Sequence, residues 1–203
     1  MKDIHWNNSQ PAMNNFLARI IGIIGEDITK FWLSNVNCEY INCGRPTIYW
    51  GENQRATLDF LIRKKESDHS DFYLVEQKNF FAYQNGNLRT IDDVPEFYNT
   101  YDKWSKSKTK SSPAWKIFNE LNSHAYRIKV KGLDEVFKIN GTILIWGAVN
   151  ELASLKFKEK YGFHDVIGLV SMVEDLISWK DQDFEKFVLD RERWTRELFN
   201  SFK

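Results

Sequence analysis

Three side chains near the middle of this 203-residue chain have the types and the spacing to act together on a phosphate ester. Glu76 and Lys78 lie two residues apart in the apolar segment FYLVEQKNFF (72–81), and Asp59 lies in the preceding apolar segment RATLDFLIRKK (55–65). Two carboxylates in one dry place repel each other, and a magnesium ion resolves this conflict because it prefers oxygen ligands. A nearby lysine then stabilises charge on the phosphoryl oxygens, so the group predicts metal-assisted phosphodiester hydrolysis.

Two neighbouring strands are needed to position these residues. The polar segment KESDHSD (65–71) between the two apolar segments predicts a hairpin, in which Asp59 and Glu76 become cross-strand neighbours. The strand period of two places one set of side chains on a single face of the second strand: Phe72, Leu74, Glu76, Lys78 and Phe80. In the first strand, predicted to be continuous, the same period gives the faces Ala56, Leu58, Phe60, Ile62 and Thr57, Asp59, Leu61, Arg63.

A helix is predicted upstream of these strands, because apolar residues recur every three or four positions from Met13 to Trp32. Glu26 projects away from the centre of its apolar stripe, on the side that carries Gly22. Glycine inside a helix is unfavourable, so Gly22 and Gly25 predict close packing of another backbone there. The short segments EYIN (39–42) and PTIYW (46–50) follow as strands.

The second half of the chain carries further helix and strand signals. Ser112 and Pro113 predict the start of a helix through AWKIFNEL (114–121), and INGTILIWGAV (139–149) predicts a strand buried on both faces. Three more helices are predicted from end signals and periodicity: Asn150 to Gly162, a capping box of Ser171 and Glu174 before DLISW (175–179), and an amphipathic stripe of Phe184, Phe187, Val188, Trp194 and Leu198.

This order of elements predicts an α/β fold in which helices flank a mixed sheet. The length suits one domain over residues 1–203, with a core at about 13–149 and a C-terminal helical part at about 150–203.

A helix glutamate, a strand aspartate and Glu-x-Lys on the next strand resemble the PD-(D/E)XK nuclease superfamily, whose restriction-endonuclease-like core has the order αβββαβ. The resemblance covers about residues 13–149. It rests on GIIGEDITKFW for Glu26, TLDFLI for Asp59 and VEQK for Glu76 and Lys78. Leu58 stands where the family commonly has a proline before its aspartate.

The resemblance implies a Mg²⁺ site, with Mn²⁺ as a substitute. Its ligands would be Asp59, Glu76, the backbone carbonyl of Gln77 and Glu26, and Lys78 would orient or activate the attacking water. The implied activity is hydrolysis of DNA, by an endonuclease of the restriction, defence or repair type. A homodimer would let two such sites cut both strands, with the C-terminal helices as the interface or the target-recognition part.

Other interpretations of the same residues stay open. Glu76 and Lys78 also suit a surface salt bridge, Asp59 an edge-strand charge, and Glu26 a solvated helix position. At the level of the whole protein, the alternatives are an RNA-directed nuclease and a catalytically inactive nucleic-acid-binding or scaffold protein with the same fold.

The overall charge is balanced, with 28 Lys and Arg against 28 Asp and Glu, so DNA binding would depend on a local cluster. The cluster we predict is Lys103, Lys106, Lys108 and Lys110, for which a solvated loop is the alternative. Cys38 and Cys43 have no histidine at zinc-ligand spacing and are expected to be reduced thiols of a cytoplasmic protein. No apolar run approaches the roughly 20 residues of a membrane span, so no membrane partner is expected.

Overall fold

The computed structural model describes residues 10–50, 54–66, 71–78, 83–84, 87–88, 90–91, 102, 118, 121, 127–129 and 136–201. Within these residues the helices are α1 (Gln10–Ser34), α2 (Glu151–Tyr161), α3 (Leu169–Ser178) and α4 (Gln182–Ser201). The strands are β1 (Tyr40–Asn42), β2 (Thr47–Trp50), β3 (Gln54–Thr57), β4 (Phe60–Lys64), β5 (Phe72–Lys78), β6 (Tyr83–Gln84), β7 (Asn87–Leu88), β8 (Thr90–Ile91), β9 (Arg127–Lys129), β10 (Val136–Trp146), β11 (Ala148–Val149) and β12 (Asp165–Gly168).

The main sheet has the strand order β1-β4-β5-β10-β12, and β9 adds to β10. Strands β1, β4 and β5 form an antiparallel set, whereas β5, β10 and β12 run parallel to one another. Lys78 is paired with Trp146, and Trp146 with Gly168. The carboxyl ends of these three strands therefore lie at the same edge of the sheet, which is also where the predicted site residues of β5 lie.

Both faces of the sheet are covered, and the side chains of β5 alternate between them. Tyr73 and Val75 pack in one apolar cluster with side chains of α1, α3 and α4, while Leu74 packs in a second cluster that includes Phe157 of α2. Residues 143, 144 and 145 of β10 alternate in the same way. The predicted α/β class, a mixed sheet flanked by helices, is confirmed.

The continuous strand predicted over residues 55–65 is wrong, because the chain breaks at Leu58 and Asp59. Strand β3 pairs with β2 in a separate two-stranded sheet, and β4 starts afresh at Phe60 in the main sheet. The Leu58 N–H donates to the Pro46 carbonyl at 3.0 Å. Leu58 therefore packs in the cluster of Leu61 and not with Phe60, which reverses the predicted face.

The C-terminal part contains a strand that the sequence pattern missed. Strand β12 extends the main sheet because Val166 and Ile167 pair with Leu144 and Ile145 of β10. The predicted capping box is wrong, since α3 begins at Leu169, two residues before Ser171, and its N-cap Gly168 makes no side-chain hydrogen bond. The N-cap position is extended but is occupied by Gly168, which has no side-chain oxygen to accept the hydrogen bond that such a box requires.

Other predicted element ends are confirmed. The Asn150 side chain accepts hydrogen bonds from the N–H groups of Leu152 and Ala153, and Gly162 ends α2 in the left-handed conformation with φ 74°. Of the described side chains in the stripe of α4, Phe184 and Phe187 at its beginning pack in the core, whereas Val188 is 47% exposed and Trp194 is 55% exposed.

The remaining predicted elements are described only in part. Phe118 and Leu121 are helical, whereas the rest of the helix predicted from Ser112 lies outside the described residues, as does Phe80. Among the helices of the described residues, none has the length and apolar character to cross a membrane.

The expected close backbone packing at Gly22 is not seen in the described part of the chain, where a Cβ atom added at Gly22 would meet nothing within 4 Å. Gly44, in the loop between β1 and β2, has φ +102°, which L side chains rarely adopt. We expect Gly44→Ala to lower the free energy of unfolding by about 1 to 2 kcal/mol. Gly22→Ala, the matched helical control, should raise it by about 0.5 to 1 kcal/mol.

Urea unfolding of both variants measures this difference. Equal effects of the two substitutions would contradict the left-handed backbone at Gly44.

Candidate active site

Asp59 and Glu76 are brought side by side at the end of the β4–β5 ladder. Phe60 pairs with Val75, and the next positions along the two antiparallel strands are Asp59 and Glu76. The backbone N–H of Gln77 donates a hydrogen bond to Asp59 Oδ2 at 2.8 Å. The break before β4 places Asp59 outside the regular strand, so its side chain can turn towards the neighbouring backbone.

Glu76 is a buried acid, and only one of its two carboxylate oxygens has a partner among the described residues. Its Oε1 forms an ion pair with Lys78 Nζ, while Oε2 is buried without a hydrogen-bond partner among the described residues. The side chain of Glu76 is 3% exposed and that of Lys78 is 20% exposed. A buried oxygen without a partner is costly in a folded protein, so Glu76 Oε2 indicates a place for a ligand.

Burial raises the pKa of Glu76 to about 7. The Lys78 ammonium opposes this rise, and the negative charge of Asp59 adds to it. The Asp59 carboxylate is therefore close enough to disfavour ionisation of Glu76, as expected for residues that would share one cation.

A second cation at this site was not singled out by the sequence pattern. Arg45, in the loop between β1 and β2, holds its Nη2 atom 3.4 Å from Asp59 Oδ1 and lowers the pKa of Glu76. Its side chain is 57% exposed, whereas that of Asp59 is 14% exposed. No local motif marks Arg45, because the contact joins residues 14 positions apart through strand pairing.

The side chain of Gln77 lies on the opposite face of β5, away from Lys78, as predicted. Its Oε1 accepts a hydrogen bond from the Thr29 hydroxyl of α1 at 3.0 Å, and the same hydroxyl lies 3.7 Å from Met172 Sδ of α3. Gln77 Nε2 is buried without a hydrogen-bond partner among the described residues. Gln77 thus connects the strand that carries the site to two covering helices.

Glu26 is half-buried on α1, three residues before Thr29. Within the described residues, Glu26 makes no hydrogen bond or ion pair with Asp59, Glu76 or Lys78. In that same part of the chain, no three His, Cys, Asp or Glu side chains are grouped closely enough to hold a metal ion. The structure therefore brings together three of the four predicted side chains.

The predicted phosphate-binding lysines, Lys103, Lys106, Lys108 and Lys110, lie outside the described residues.

The donors that are present fit a hard cation. Asp59 and the unpartnered Glu76 Oε2 are carboxylate oxygens, the ligand type that magnesium prefers, and a magnesium ion commonly takes only one or two carboxylates from a protein. Soft ligands are not part of the group, since the thiols Cys38 and Cys43 belong to other contacts. Asp59 and Glu76 are therefore the residues that would hold such an ion.

Three comparisons with known proteins found no similar protein. No family model matches the chain, and neither the curated proteins nor the solved structures contain a match.

The raised pKa of Glu76 predicts a pH-dependent stability. Between about pH 4.5 and pH 7 the unfolded chain has released the proton that the folded protein still holds, so the folded state loses stability as pH rises and then levels off. Glu76→Gln cannot ionise, so we expect it to be more stable than the wild type by about 2 to 3 kcal/mol at about pH 8, but not at about pH 4.

Chemical denaturation at the two pH values, with a chelator present, measures this difference. Glu174→Gln is a control on an exposed carboxylate of α3 and should show no such pH-dependent gain. An equal gain for both variants would contradict the burial of a titrating Glu76.

Proposed function

We propose that this protein is a Mg²⁺-dependent nuclease that hydrolyses phosphodiester bonds of DNA. The observation that carries the proposal is the buried Glu76 carboxylate, with its unpartnered Oε2, beside Asp59 and in an ion pair with Lys78. A hydrophobic protein interior rarely retains an acid in this state without a function.

The order of elements supports a restriction-endonuclease-like core. Helix α1 is followed by the antiparallel strands β1, β4 and β5, and then by β10, which is parallel to β5. The helical residues Phe118 and Leu121 fall between β5 and β10, where the order αβββαβ has its second helix. The small β2–β3 sheet is an insertion in this series, and β12 is an addition to it.

Each residue of the proposed site has a distinct role. Asp59 and Glu76 hold Mg²⁺, and the Gln77 carbonyl and Glu26 are proposed as further ligands; the bound ion supplies positive charge that stabilises the phosphoryl oxygens. Lys78 is anchored by Glu76 and partly open to solvent, so its ammonium is placed to donate a hydrogen bond to the water that attacks phosphorus. The backbone N–H of Gln77 holds Asp59 in position by donating a hydrogen bond to Asp59 Oδ2.

DNA is proposed as the substrate, with endonucleolytic cleavage of the restriction, defence or repair type. Two copies of the chain would provide one site for each strand of a duplex. Lys103, Lys106, Lys108 and Lys110 are proposed to contact phosphates of the DNA.

A nucleic-acid-binding protein without cleavage is the second candidate. It is favoured by one observation, that no third acidic side chain joins Asp59 and Glu76 within the described residues. Cleavage assays separate the two functions directly.

We expect Mg²⁺ or Mn²⁺, but not a chelator, to support cleavage of plasmid and short duplex DNA by the purified protein. Lys78→Ala and Asp59→Ala should lower the rate about a hundredfold or more, because each removes a charge at the reacting phosphate or its metal. Lys64→Ala is the matched control: Lys64 is an ion-paired surface lysine at the far end of β4, about 16 Å from Asp59 at about 3.3 Å per residue.

Parallel assays on RNA test the substrate class. Cleavage that survives Lys78→Ala would overturn the assignment of the site, and cleavage of RNA alone would replace DNA as the substrate. Duplex binding without any cleavage would favour the second candidate.

Metal binding provides a test that does not depend on cleavage. At a free Mg²⁺ concentration about 100 times Kd, the ion should raise the free energy of unfolding by about 2.7 kcal/mol. The apparent affinity should increase from about pH 6 to about pH 8, because Glu76 must lose its proton to bind the ion.

Thermal melts with Mg²⁺ and with EDTA measure this stabilisation. Asp59→Asn should abolish it, and Lys64→Ala should leave it unchanged. Stabilisation that persists in Asp59→Asn would place the ion elsewhere.

A further inference from the structure

The loop that carries Arg45 is held rigidly against the start of β4. On one side of Arg45, the Gly44 carbonyl accepts a hydrogen bond from the Leu61 N–H at 2.7 Å. On the other side, the Pro46 carbonyl accepts from the Leu58 N–H at 3.0 Å. Leu58 and Leu61 lie on either side of Asp59 in the sequence. The residues before and after Arg45 are therefore both hydrogen-bonded to the segment that carries Asp59.

The left-handed backbone of Gly44 adds to this arrangement. The Gly44 N–H donates to Asn42 Oδ1 at 2.8 Å, and the φ of +102° turns the chain so that Arg45 points towards Asp59. Pro46 is buried and anchors the other end of the turn. The position of Arg45 is thus fixed by the hydrogen bonds of its two neighbours, Gly44 and Pro46.

The side chain of Arg45 is only loosely held by Asp59. The separation of 3.4 Å between Nη2 and Oδ1 is longer than a good charge-assisted hydrogen bond of about 2.7 to 2.9 Å. A guanidinium has five N–H donors in a fork that matches two oxygens of a phosphate. The Arg45 side chain is 57% exposed, so a ligand can reach it from the solvent.

We propose that Arg45 is a substrate-binding residue that contacts a phosphate of the nucleic acid and leaves Asp59 when a divalent cation binds there. This inference rests on the proposed nuclease function and adds a residue that the Asp59, Glu76 and Lys78 group does not include. Arg45 lies against Asp59 Oδ1, so a cation held by the Asp59 carboxylate would compete with the guanidinium for it. With a cation held at Asp59, the Arg45 guanidinium would be available for the anionic substrate.

The first test uses Mn²⁺ alone in calorimetric titrations. Arg45→Ala should bind Mn²⁺ about two- to five-fold more tightly than the wild type, because removal of an exposed ion pair removes a competitor of modest strength. Lys64→Ala, which removes an equal charge from the far end of β4, should bind Mn²⁺ with wild-type affinity.

The second test measures binding of a short fluorescein-labelled DNA duplex with Mn²⁺ present, in a Lys78→Met background that is expected not to cleave. Adding Arg45→Ala should weaken binding and reduce the slope of log K against log salt concentration by about one, the effect of one lost phosphate contact. Arg45→Lys should keep the slope but recover only part of the affinity, because an ammonium lacks the fork of the guanidinium.

Both shifts are required by the proposal. An unchanged Mn²⁺ affinity or an unchanged salt slope in the Arg45→Ala proteins overturns it, while Mn²⁺ binding and cleavage by the wild type would leave the nuclease function standing. If the wild type binds no Mn²⁺, the nuclease function itself fails and the role of Arg45 fails with it. A thermal melt in EDTA confirms that each variant is folded.

Discussion

The burial of the Glu76 carboxylate is the constraint around which the rest of this structure is arranged. Strand β5 lies between β4 and β10, and the Glu76 side chain near its carboxyl end is only 3% exposed. The ion pair with Lys78 offsets only part of the cost, since the pKa of Glu76 is still raised to about 7. One carboxylate oxygen stays without a partner among the described residues. A bound cation would remove this conflict, which is why the same feature that weakens the metal-free fold favours a metal site.

The alternation of side chains along β5 links the site to the packing of the helices. Glu76 faces the proposed site, while its neighbours Val75 and Gln77 face α1 and α3 on the opposite side. The Thr29 hydroxyl holds the Gln77 side chain, and the Gln77 backbone amide holds Asp59. A shift of α1 would therefore be transmitted to the carboxylate of Asp59 through a single residue. Glu76 and Lys78, the proposed site residues of β5, thus lie on a strand of a sheet covered on both faces, which restricts their movement.

Local rules were sufficient for many elements and failed where distant segments meet. The helix ends at Asn150 and Gly162 were predicted because capping is a contact between near neighbours in the chain. The strand over residues 55–65 was predicted to be continuous because its β-favouring residues are continuous. The hydrogen bond from the Leu58 N–H to the Pro46 carbonyl interrupts it. Strand β12 was missed for the same kind of reason, since a four-residue segment becomes a strand only through its pairing with β10.

The features of the candidate site also fall into those that local sequence rules predict and those that depend on tertiary packing. The shared face of Glu76 and Lys78, and the place of Asp59 in the preceding segment, could be inferred from the sequence because side-chain direction in a strand follows a local period of two. The contact of Arg45 with Asp59, the hydrogen bond from Gln77 to Asp59 and the depth at which Glu76 is buried could not. These features arise when strands and helices far apart in the chain pack together, and only the tertiary structure determines which charges then lose their water and which remain exposed to solvent.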